Sequence, residues 1–447
     1  MGWTYTLEQL AGALKAPKPD SNPSFSSVST DTRTIKPGDV FFALVGENFD
    51  GSEYVAEAFM KGASAAVTAK PIADRPCIIV SNAQSALQAF AAWHRARHAL
   101  PIIAVTGSCG KTTSKDMIAA VLGSRMQVVK TKGNLNNEIG CPLSLLQIDE
   151  RTDAAIIEMG AAHRGNIAEL CAIAKPVESA ITLVAPAHLE GFKTIENIAA
   201  TKAEIAEALP PEGIFYVNTD NPWCVKAAER AKCRHVTFGA KGDISLLACA
   251  FDDSGELNLT IDPIGKIRLP LANRAHASNV LLAVAVGLQH GISEFEVPLR
   301  AVAADPARFK QLKIGTLSII DDSYNASPAS MAAAIQGLAE RPSGGARIAA
   351  LGDMLELGPD SARLHAEIGE LAGRLGIHHV FAVGNFASAI IEAARVSGVS
   401  HAEVLPDHAA VARAILDIAK PDDVLLVKGS RGMRMERVIE QLRLVSG

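Results

Sequence analysis

The sequence predicts an α/β protein of three domains: a small N-terminal α/β domain, a central parallel-sheet domain and a C-terminal doubly wound domain. The chain has 447 residues, which corresponds to three domains of about 150 residues each. Short runs rich in Ile, Val and Ala alternate with helical segments, a pattern typical of buried parallel strands joined by helices. Because 48% of the residues are hydrophobic and only 20% are charged, the chain has enough apolar surface for several cores.

Composition and charge exclude several classes of function. Aromatic residues make up 5% of the chain, and 43 Lys and Arg against 48 Asp and Glu give a net charge of −5, so nothing favours binding to nucleic acid. No apolar run approaches the roughly 18 residues of a membrane span. The N-terminus lacks a basic region followed by an apolar core, so we expect no membrane insertion and a cytoplasmic protein. Seven cysteines without a CxxC pair are typical of reduced thiols.

The first domain is predicted over residues 1–98. Apolar runs over 40–46 and 65–69 predict strands, and PGD and FDG predict turns. The segment ALQAFAAWHRARHAL has a helical pattern. The next apolar run, IIAVTG, follows Pro101, so we place the start of the second domain at residue 99.

The central domain is predicted over 99–308 and the C-terminal domain over 309–447. Strands are expected over 102–106, 155–159 and 180–184, and alternating residues over 244–270 predict antiparallel hairpins. The segment ADPARFKQ marks the second boundary. Beyond it, strands expected over 317–321, 347–351, 379–383 and 424–427 alternate with helices, which predicts a doubly wound, Rossmann-like sheet.

The segment AVTGSCGKTTSKDM predicts a phosphate-binding loop between a strand and a helix. Its glycines let backbone N–H groups approach phosphate oxygens, and the helix N-terminus adds partial positive charge. Lys111 supplies a charge for the β and γ phosphates, and Thr112 a hydroxyl for Mg²⁺. The spacing departs from the full motif at Val105, and a helix-capping turn with Lys111 in solvent is the alternative. We favour ATP binding in a P-loop ATPase-like domain, by Gly107, Ser108, Cys109, Gly110, Lys111, Thr112 and Thr113.

Four further side chains are candidates because of where they lie in the pattern. Glu158 ends an apolar strand, where a carboxylate either holds the Mg²⁺ of ATP or caps a helix. His163 and His188 also follow strands, although a lone histidine there is more often structural than a ligand. Lys202 falls on the apolar stripe of the predicted helix TIENIAATKAEIAEALP. It either extends its charge to solvent or is a desolvated amine that takes up CO₂ and, as a carbamate, binds Mg²⁺.

Motifs over nearly the whole chain are similar to those of one family. They are STDTRTIKPGDVFFALVGENFDG, TGSCGKTT, GNLNNEIGCPLSLL, EMGAAHRGNI, AHLEGF, ATKAEI, DDSYNASPASM, LGDMLELG and VKGSRGMRME. With them the chain resembles the Mur ligase family, the ATP-dependent amide ligases of peptidoglycan synthesis. GNLNNEIG, AHLEGF and DDSYNASP are similar to the family members that add D-alanyl-D-alanine.

The resemblance implies roles for individual residues. The catalytic residues would be Lys111, His188 and Lys202, with one Mg²⁺ on Thr112 and Glu158 and a second on His188 and carbamylated Lys202. ATP would also contact Asn279, Arg308 and Asp322. Without the resemblance, these residues would be interpreted as an amide on a helix surface, a charge in a linker and a cap at a strand end. Thr32 is a candidate uridine contact. Weaker candidates near the substrates are Asn134, Asn136, Asn137, His163 and Asn325.

The resemblance also implies a reaction. The first domain would bind a UDP-sugar, and the last would close over the nucleotide and bind the incoming dipeptide. The substrates would be UDP-N-acetylmuramoyl-tripeptide and D-alanyl-D-alanine, joined by a monomer through an acyl phosphate. One alternative is another Mur-type ligase or a folate polyglutamate-type ligase. The predicted N-terminal domain argues against the folate type. A regulatory P-loop nucleotide-binding protein is another, but the sequence has no guanine-reading NKxD-like motif.

Overall fold

The first hundred residues fold around a small sheet. We analysed a computed structural model, which describes residues 2–46, 49–70, 72, 74–187, 189–304 and 310–446. A four-stranded parallel sheet in the order β3-β4-β7-β8 is accompanied by two antiparallel ribbons, β1-β2 and β5-β6. The elements are β1 Tyr5–Thr6, α1 Leu7–Leu14, β2 Ser24–Phe25, β3 Val28–Ser29, β4 Val40–Phe42, β5 Val45–Gly46, β6 Phe49–Asp50, α2 Val55–Met60, β7 Ala65–Thr68, β8 Cys77–Ile79 and α3 Ala83–Arg95.

The middle of the chain forms a nine-stranded sheet in the order β10-β11-β9-β12-β13-β14-β15-β16-β17. It is parallel from β10 to β15 and antiparallel across β15, β16 and β17, which confirms the predicted hairpins. The elements are β9 Ile102–Thr106, α4 Lys111–Gly123, β10 Val128–Lys130, α5 Gly140–Leu145, β11 Ala154–Glu158, α6 Asn166–Ala174, β12 Glu178–Ile181, α7 Leu189–Phe192, α8 Ile195–Glu207, β13 Ile214–Asn218, α9 Pro222–Ala228, β14 Arg234–Gly239, β15 Ile244–Phe251, β16 Leu257–Asp262, β17 Gly265–Leu269, α10 His276–Gln289 and α11 Glu296–Ala303.

The last third forms a six-stranded sheet in the order β18-β19-β23-β20-β21-β22, parallel except for β18. Helices pack on both faces, so the predicted doubly wound sheet is confirmed. The elements are β18 Lys310–Ile314, β19 Leu317–Asp322, α12 Pro328–Glu340, β20 Arg347–Gly352, α13 Ser361–Arg374, β21 His379–Val383, α14 Ala387–Val396, β22 His401–Val404, α15 His408–Ile418, β23 Val424–Lys428 and α16 Glu436–Ser446.

Strand β9 is buried between two separate cores. Ile102 and Ala104 contribute to the core under α3, α5, α6 and α8, whereas Ile103 and Val105 contribute to the core under α4, α10 and α11. Alternate side chains of a central parallel strand point to opposite faces, which explains why the whole run is apolar. The loop that follows β9 is therefore anchored from both sides of the sheet.

Two strand predictions need correction. The strand expected over 180–184 is β12, Glu178–Ile181, because Thr182 and Leu183 leave the ladder to contact the loop after β9. The run expected as one strand over 40–46 is divided, because Val45–Gly46 pairs with Phe49–Asp50 instead of the main sheet. Among the described helices, none is long and apolar enough to span a bilayer, and all seven cysteines are free thiols.

Candidate active site

The loop from Gly107 to Gly110 leaves β9 and turns sharply into α4. Gly107 has φ +152° and Gly110 has φ +81°, backbone conformations that side-chain-bearing residues rarely adopt. A Cβ at Gly107 would lie 1.9 Å from Thr182 Oγ1. Lys111 Nζ donates to Gly107 O at 2.8 Å, so the ammonium folds back over the loop. The backbone thus has the open, N–H-rich form that a phosphate-binding loop needs.

The residues after β12 hold this loop in place. Ser108 N donates to Leu183 O at 2.8 Å. The Ser108 hydroxyl donates to Ala185 O at 2.8 Å and accepts from Ala185 N at 3.0 Å. The Thr182 hydroxyl donates to Cys109 O. Loop and strand end are therefore fixed relative to each other at the carboxyl edge of the sheet, where ligands bind in open α/β sheets.

Glu158, at the end of β11, faces the first turn of α4. Its Oε1 accepts from the Thr112 hydroxyl at 3.2 Å and from Asn136 Nδ2 at 2.8 Å. Its Oε2 is buried and has no hydrogen-bond partner. A hydroxyl and a buried carboxylate are hard oxygen donors of the kind that Mg²⁺ prefers, so these residues fit the predicted ion. Among the described residues, no group of three or more His, Cys, Asp or Glu is suited to hold a metal ion.

A buried lysine that the sequence analysis missed lies beside this carboxylate. Lys115 is 1% exposed, and its Nζ donates to Thr131 O at 2.7 Å. It lies 3.6 Å from Glu158 Oε2 and 3.6 Å from Asp116 Oδ1. The same Asp116 oxygen pairs with Lys130 at 2.8 Å. Lys115 lies four residues after Lys111, and this spacing puts both lysines on the same face of the helix. Because a lysine in a helix is usually exposed, the spacing alone did not predict that Lys115 is buried.

Lys202 is buried on α8, which favours the desolvated amine over the alternative of a charge that extends to solvent. The side chain is 5% exposed, and the part of the chain that the structure describes offers it no carboxylate partner within ion-pair distance. Desolvation, with a smaller contribution from the Lys111 ammonium, lowers the pKa of Lys202 well below its ordinary value. The neutral amine that carbamylation requires is thus favoured. His188, its predicted partner, lies outside the described residues.

The phosphate loop opens into a cleft of about 560 Å³ between the central and C-terminal sheets. Asn279 lines it and is 8% exposed. Its Oδ1 accepts from the Ser114 hydroxyl at 2.9 Å, and its Nδ2 lies 3.3 Å from His276 Nδ1. Burial lowers the pKa of His276 to about 4, so this imidazole is neutral at pH 7. Asn279 is therefore not the helix-surface amide of the alternative interpretation.

Asp322 forms the opposite wall of the cleft, at the end of β19. It pairs at 2.7 Å with Lys428 Nζ, the last residue of the neighbouring strand β23. Lys428 also donates to Asn325 O at 2.9 Å, and its side chain is 2% exposed. The structure thus brings Asp322 and Asn325 to the same cleft as the phosphate loop and Asn279. The sequence analysis missed Lys428.

Of the remaining candidates, only Asn136 contacts the described part of this site. Asn136 contacts Glu158, but Asn137 Oδ1 accepts from Gly140 N at 2.9 Å as a turn residue, and Asn134 is exposed. His163 is exposed, with Nδ1 3.0 Å from Arg164 O and Nε2 3.0 Å from Asn166 Nδ2, so both ring nitrogens are engaged locally. Thr32 follows β3 in the first sheet and does not line the cleft. Arg308 lies outside the described residues.

Comparison with protein-family models matches three segments. Residues 24–100 match the model described as Mur ligase family, catalytic domain, residues 105–287 the Mur ligase middle domain, and residues 307–431 the Mur ligase, glutamate ligase domain.

Full-length relatives match as well. The chain is 36% identical over 450 residues to the UDP-N-acetylmuramoyl-tripeptide–D-alanyl-D-alanine ligase of Escherichia coli K12, covering 98% of each chain. It is 34% identical to the Bacillus subtilis protein of the same name, covering 97% of this chain and 96% of the relative.

Solved structures with the same overall fold include MurF from Acinetobacter baumannii, with a TM-score of 0.90, 30% identity and 99% of both chains covered. They also include MurF ligase from Thermotoga maritima in complex with ADP, with a TM-score of 0.85, 29% identity and 94% and 97% of the two chains covered.

Proposed function

The chain belongs to the Mur ligase family, and we propose that it joins D-alanyl-D-alanine to UDP-N-acetylmuramoyl-tripeptide. It is an ATP-dependent amide ligase with the three-domain fold of that family. The observation that carries the proposal is the arrangement of one cleft. A phosphate loop, a Thr112–Glu158 pair and the Asn279 amide lie on one side of it, and Asp322 and Asn325 lie on the other.

The reaction needs ATP because a carboxylate has no acceptable leaving group. The carboxylate oxygen of the tripeptide attacks the γ-phosphorus, the bond to ADP breaks, and an acyl phosphate results. The dipeptide amine then attacks the acyl carbon, loses a proton, and expels phosphate to leave an amide. Catalysis of this kind depends on positioning and on neutralising charge more than on covalent help from the protein.

This chain's residues supply those two effects. Lys111 and the backbone N–H groups of the loop neutralise the phosphates, and Asn279 and Arg308 position the nucleotide. Thr112 and Glu158 would hold one Mg²⁺, and His188 with carbamylated Lys202 would hold a second. When bound, these ions reduce the repulsion between the carboxylate and the triphosphate. The burial that lowers the pKa of Lys202 supports this role, because it favours the uncharged amine, which can attack CO₂ and release a proton to form the anionic carbamate.

We assign residues 1–98 to the UDP-sugar, 99–308 to ATP, and 309–447 to closing over the nucleotide and binding the dipeptide. Closure would exclude water, which hydrolyses acyl phosphates. Thr32 is the proposed uridine contact. We propose a monomer that works in the cytoplasm, where a chain with seven free thiols stays reduced.

The proposed function is tested by measuring phosphate release from ATP with UDP-N-acetylmuramoyl-tripeptide present. Added D-alanyl-D-alanine is expected to stimulate release and to yield the pentapeptide product. Parallel reactions with D-alanine alone and with glutamate are the controls. Stimulation by either control but not by the dipeptide contradicts the substrate assignment, and normal turnover by Lys111→Ala contradicts the phosphate role of the loop.

A further inference from the structure

Two loops of the C-terminal sheet form the cleft wall that faces the phosphate loop. Strands β19 and β23 are parallel neighbours that end at Asp322 and Lys428, which are paired in register. Asn325 follows the first strand by three residues and Arg431 follows the second by three residues. Both line the cleft. Parallel strands bring their carboxyl ends to the same edge, so the two loops meet there.

The Arg431 loop is fixed, yet its guanidinium stays accessible. Arg431 N donates to the side-chain oxygen of Asn325 at 3.3 Å, and the Ser430 hydroxyl donates to Ala326 O at 3.2 Å. The guanidinium carbon lies 5.8 Å from the centre of the Tyr324 ring, and Nη1 lies 3.2 Å from Glu436 Oε1. The Arg431 side chain is nevertheless 65% exposed. Such a group can bind a second carboxylate without first breaking a buried ion pair.

Only one of the positively charged side chains that line the described part of the cleft is available to bind an organic anion. In the described part of the chain, the positively charged lining residues are Lys111, Lys428 and Arg431. Lys111 folds over the phosphate loop, and the buried Lys428 is paired with Asp322. Arg431 therefore remains. A guanidinium binds a carboxylate through two parallel N–H···O bonds.

We propose that Arg431 binds the terminal carboxylate of the incoming dipeptide. The proposal rests on the proposed function, which supplies a substrate with an amine at one end and a carboxylate at the other. The lining near Asn325 includes the small apolar side chains of Ala326, Ala329 and Ala333, which suit the methyl groups of the dipeptide. With the carboxylate on Arg431, the amine end points into the cleft toward the phosphate loop.

The test combines a variant with a substrate that lacks the same interaction. D-alanyl-D-alanine and D-alanyl-D-alaninamide are compared on the wild-type protein, on Arg431→Gln and on Arg437→Gln, a matched control. Arg437 is exposed on the same segment but does not line the cleft. Wild type is expected to prefer the acid over the amide in kcat/KM by about 10- to 100-fold, the range for one charge-assisted interaction.

Arg431→Gln is expected to lose that preference by lowering kcat/KM for the acid alone. The amide reaction and the KM for ATP stay at wild-type values, and Arg437→Gln behaves as wild type. The proposal is overturned if Arg431→Gln slows the acid and the amide equally, or if it raises the KM for ATP or for the UDP-tripeptide instead. If wild-type protein releases no phosphate in response to the dipeptide, the proposed function fails first and this assignment fails with it.

Discussion

Replacing Glu158 with glutamine removes one of two opposite charges that are buried beside the phosphate loop. Lys115 and Glu158 have side chains only 1% and 2% exposed, and their charged atoms are 3.6 Å apart. Glutamine keeps the size of the side chain and its hydrogen-bond acceptor for Thr112. The substitution therefore isolates the loss of charge from the loss of shape.

The expected cost follows from this distance. At 3.6 Å and an effective dielectric of about 20, two unit charges attract by on the order of 4 to 5 kcal/mol. Asp116 also lies 3.6 Å from Lys115, so the remaining ammonium keeps one partner. We expect Glu158→Gln to lower the free energy of unfolding of the central sheet by about 3 kcal/mol, the low end for a broken buried pair. Lys115→Met is expected to cost a similar amount.

The double variant Lys115→Met with Glu158→Gln removes both charges. It is expected to be more stable than the sum of the single changes predicts, by about 2 to 4 kcal/mol, because no uncompensated charge stays buried. Hydrogen exchange of amides in β9 and β11 measures the stability of this sheet without assuming that the whole chain unfolds in one step. Ligase activity at saturating Mg²⁺ stays low in the double variant because the metal ligand is still missing.

If the loss of stability in the double variant equals the sum of the losses in the two single variants within about 0.5 kcal/mol, Lys115 and Glu158 do not stabilise each other. That result would refute this reasoning. Recovery of activity together with stability would contradict the assignment of Glu158 as a ligand. Asn136→Ala, which removes a hydrogen bond to Glu158 but leaves both buried charges in place, is the control. It is expected to cost about 1.5 kcal/mol.

Three other predictions follow from the same structure. Lys202→Ala is expected to abolish activity, with partial rescue by added formate or acetate; full activity without rescue excludes the carbamate. Gly107→Ala is expected to raise the KM for ATP and to cost about 1 to 3 kcal/mol of stability, because its Cβ would lie 1.9 Å from Thr182 Oγ1. Gly123→Ala, whose Cβ meets nothing within 4 Å at the end of α4, is expected to leave ATP binding unchanged. For His290, the hydrogen bond to Glu178 at 2.9 Å raises the pKa, so the pair stabilises the fold fully below about pH 6.5 and less as pH rises through the raised pKa. The stability lost in His290→Gln is therefore expected to be larger at pH 6 than at pH 9 in urea unfolding, and an equal loss at both values contradicts the ion pair.

Features encoded over a few neighbouring residues were predicted well. Strands β9 and β21 have the expected bounds, because each is a continuous apolar run closed by glycine or a polar residue. Helical periodicity placed Lys202 on the apolar face of its helix, and the structure decided between the two alternatives by burying it. Short strands such as β10 and β22 were missed, because three or four residues at the edge of a sheet carry little periodic signal.

The sequence by itself determined the phosphate loop, the helix that carries Lys202 and the alternation of strands and helices, since each depends on residues that are close along the chain. Only the tertiary structure decided which distant residues meet. Thr112 reaches Glu158 across 46 positions, and Lys428 reaches Asp322 across 106. Those contacts depend on the order of strands in each sheet, which places β11 beside β9 and β23 beside β19. Local periodicity sets the face on which a residue lies but contains no information about which strand becomes its neighbour.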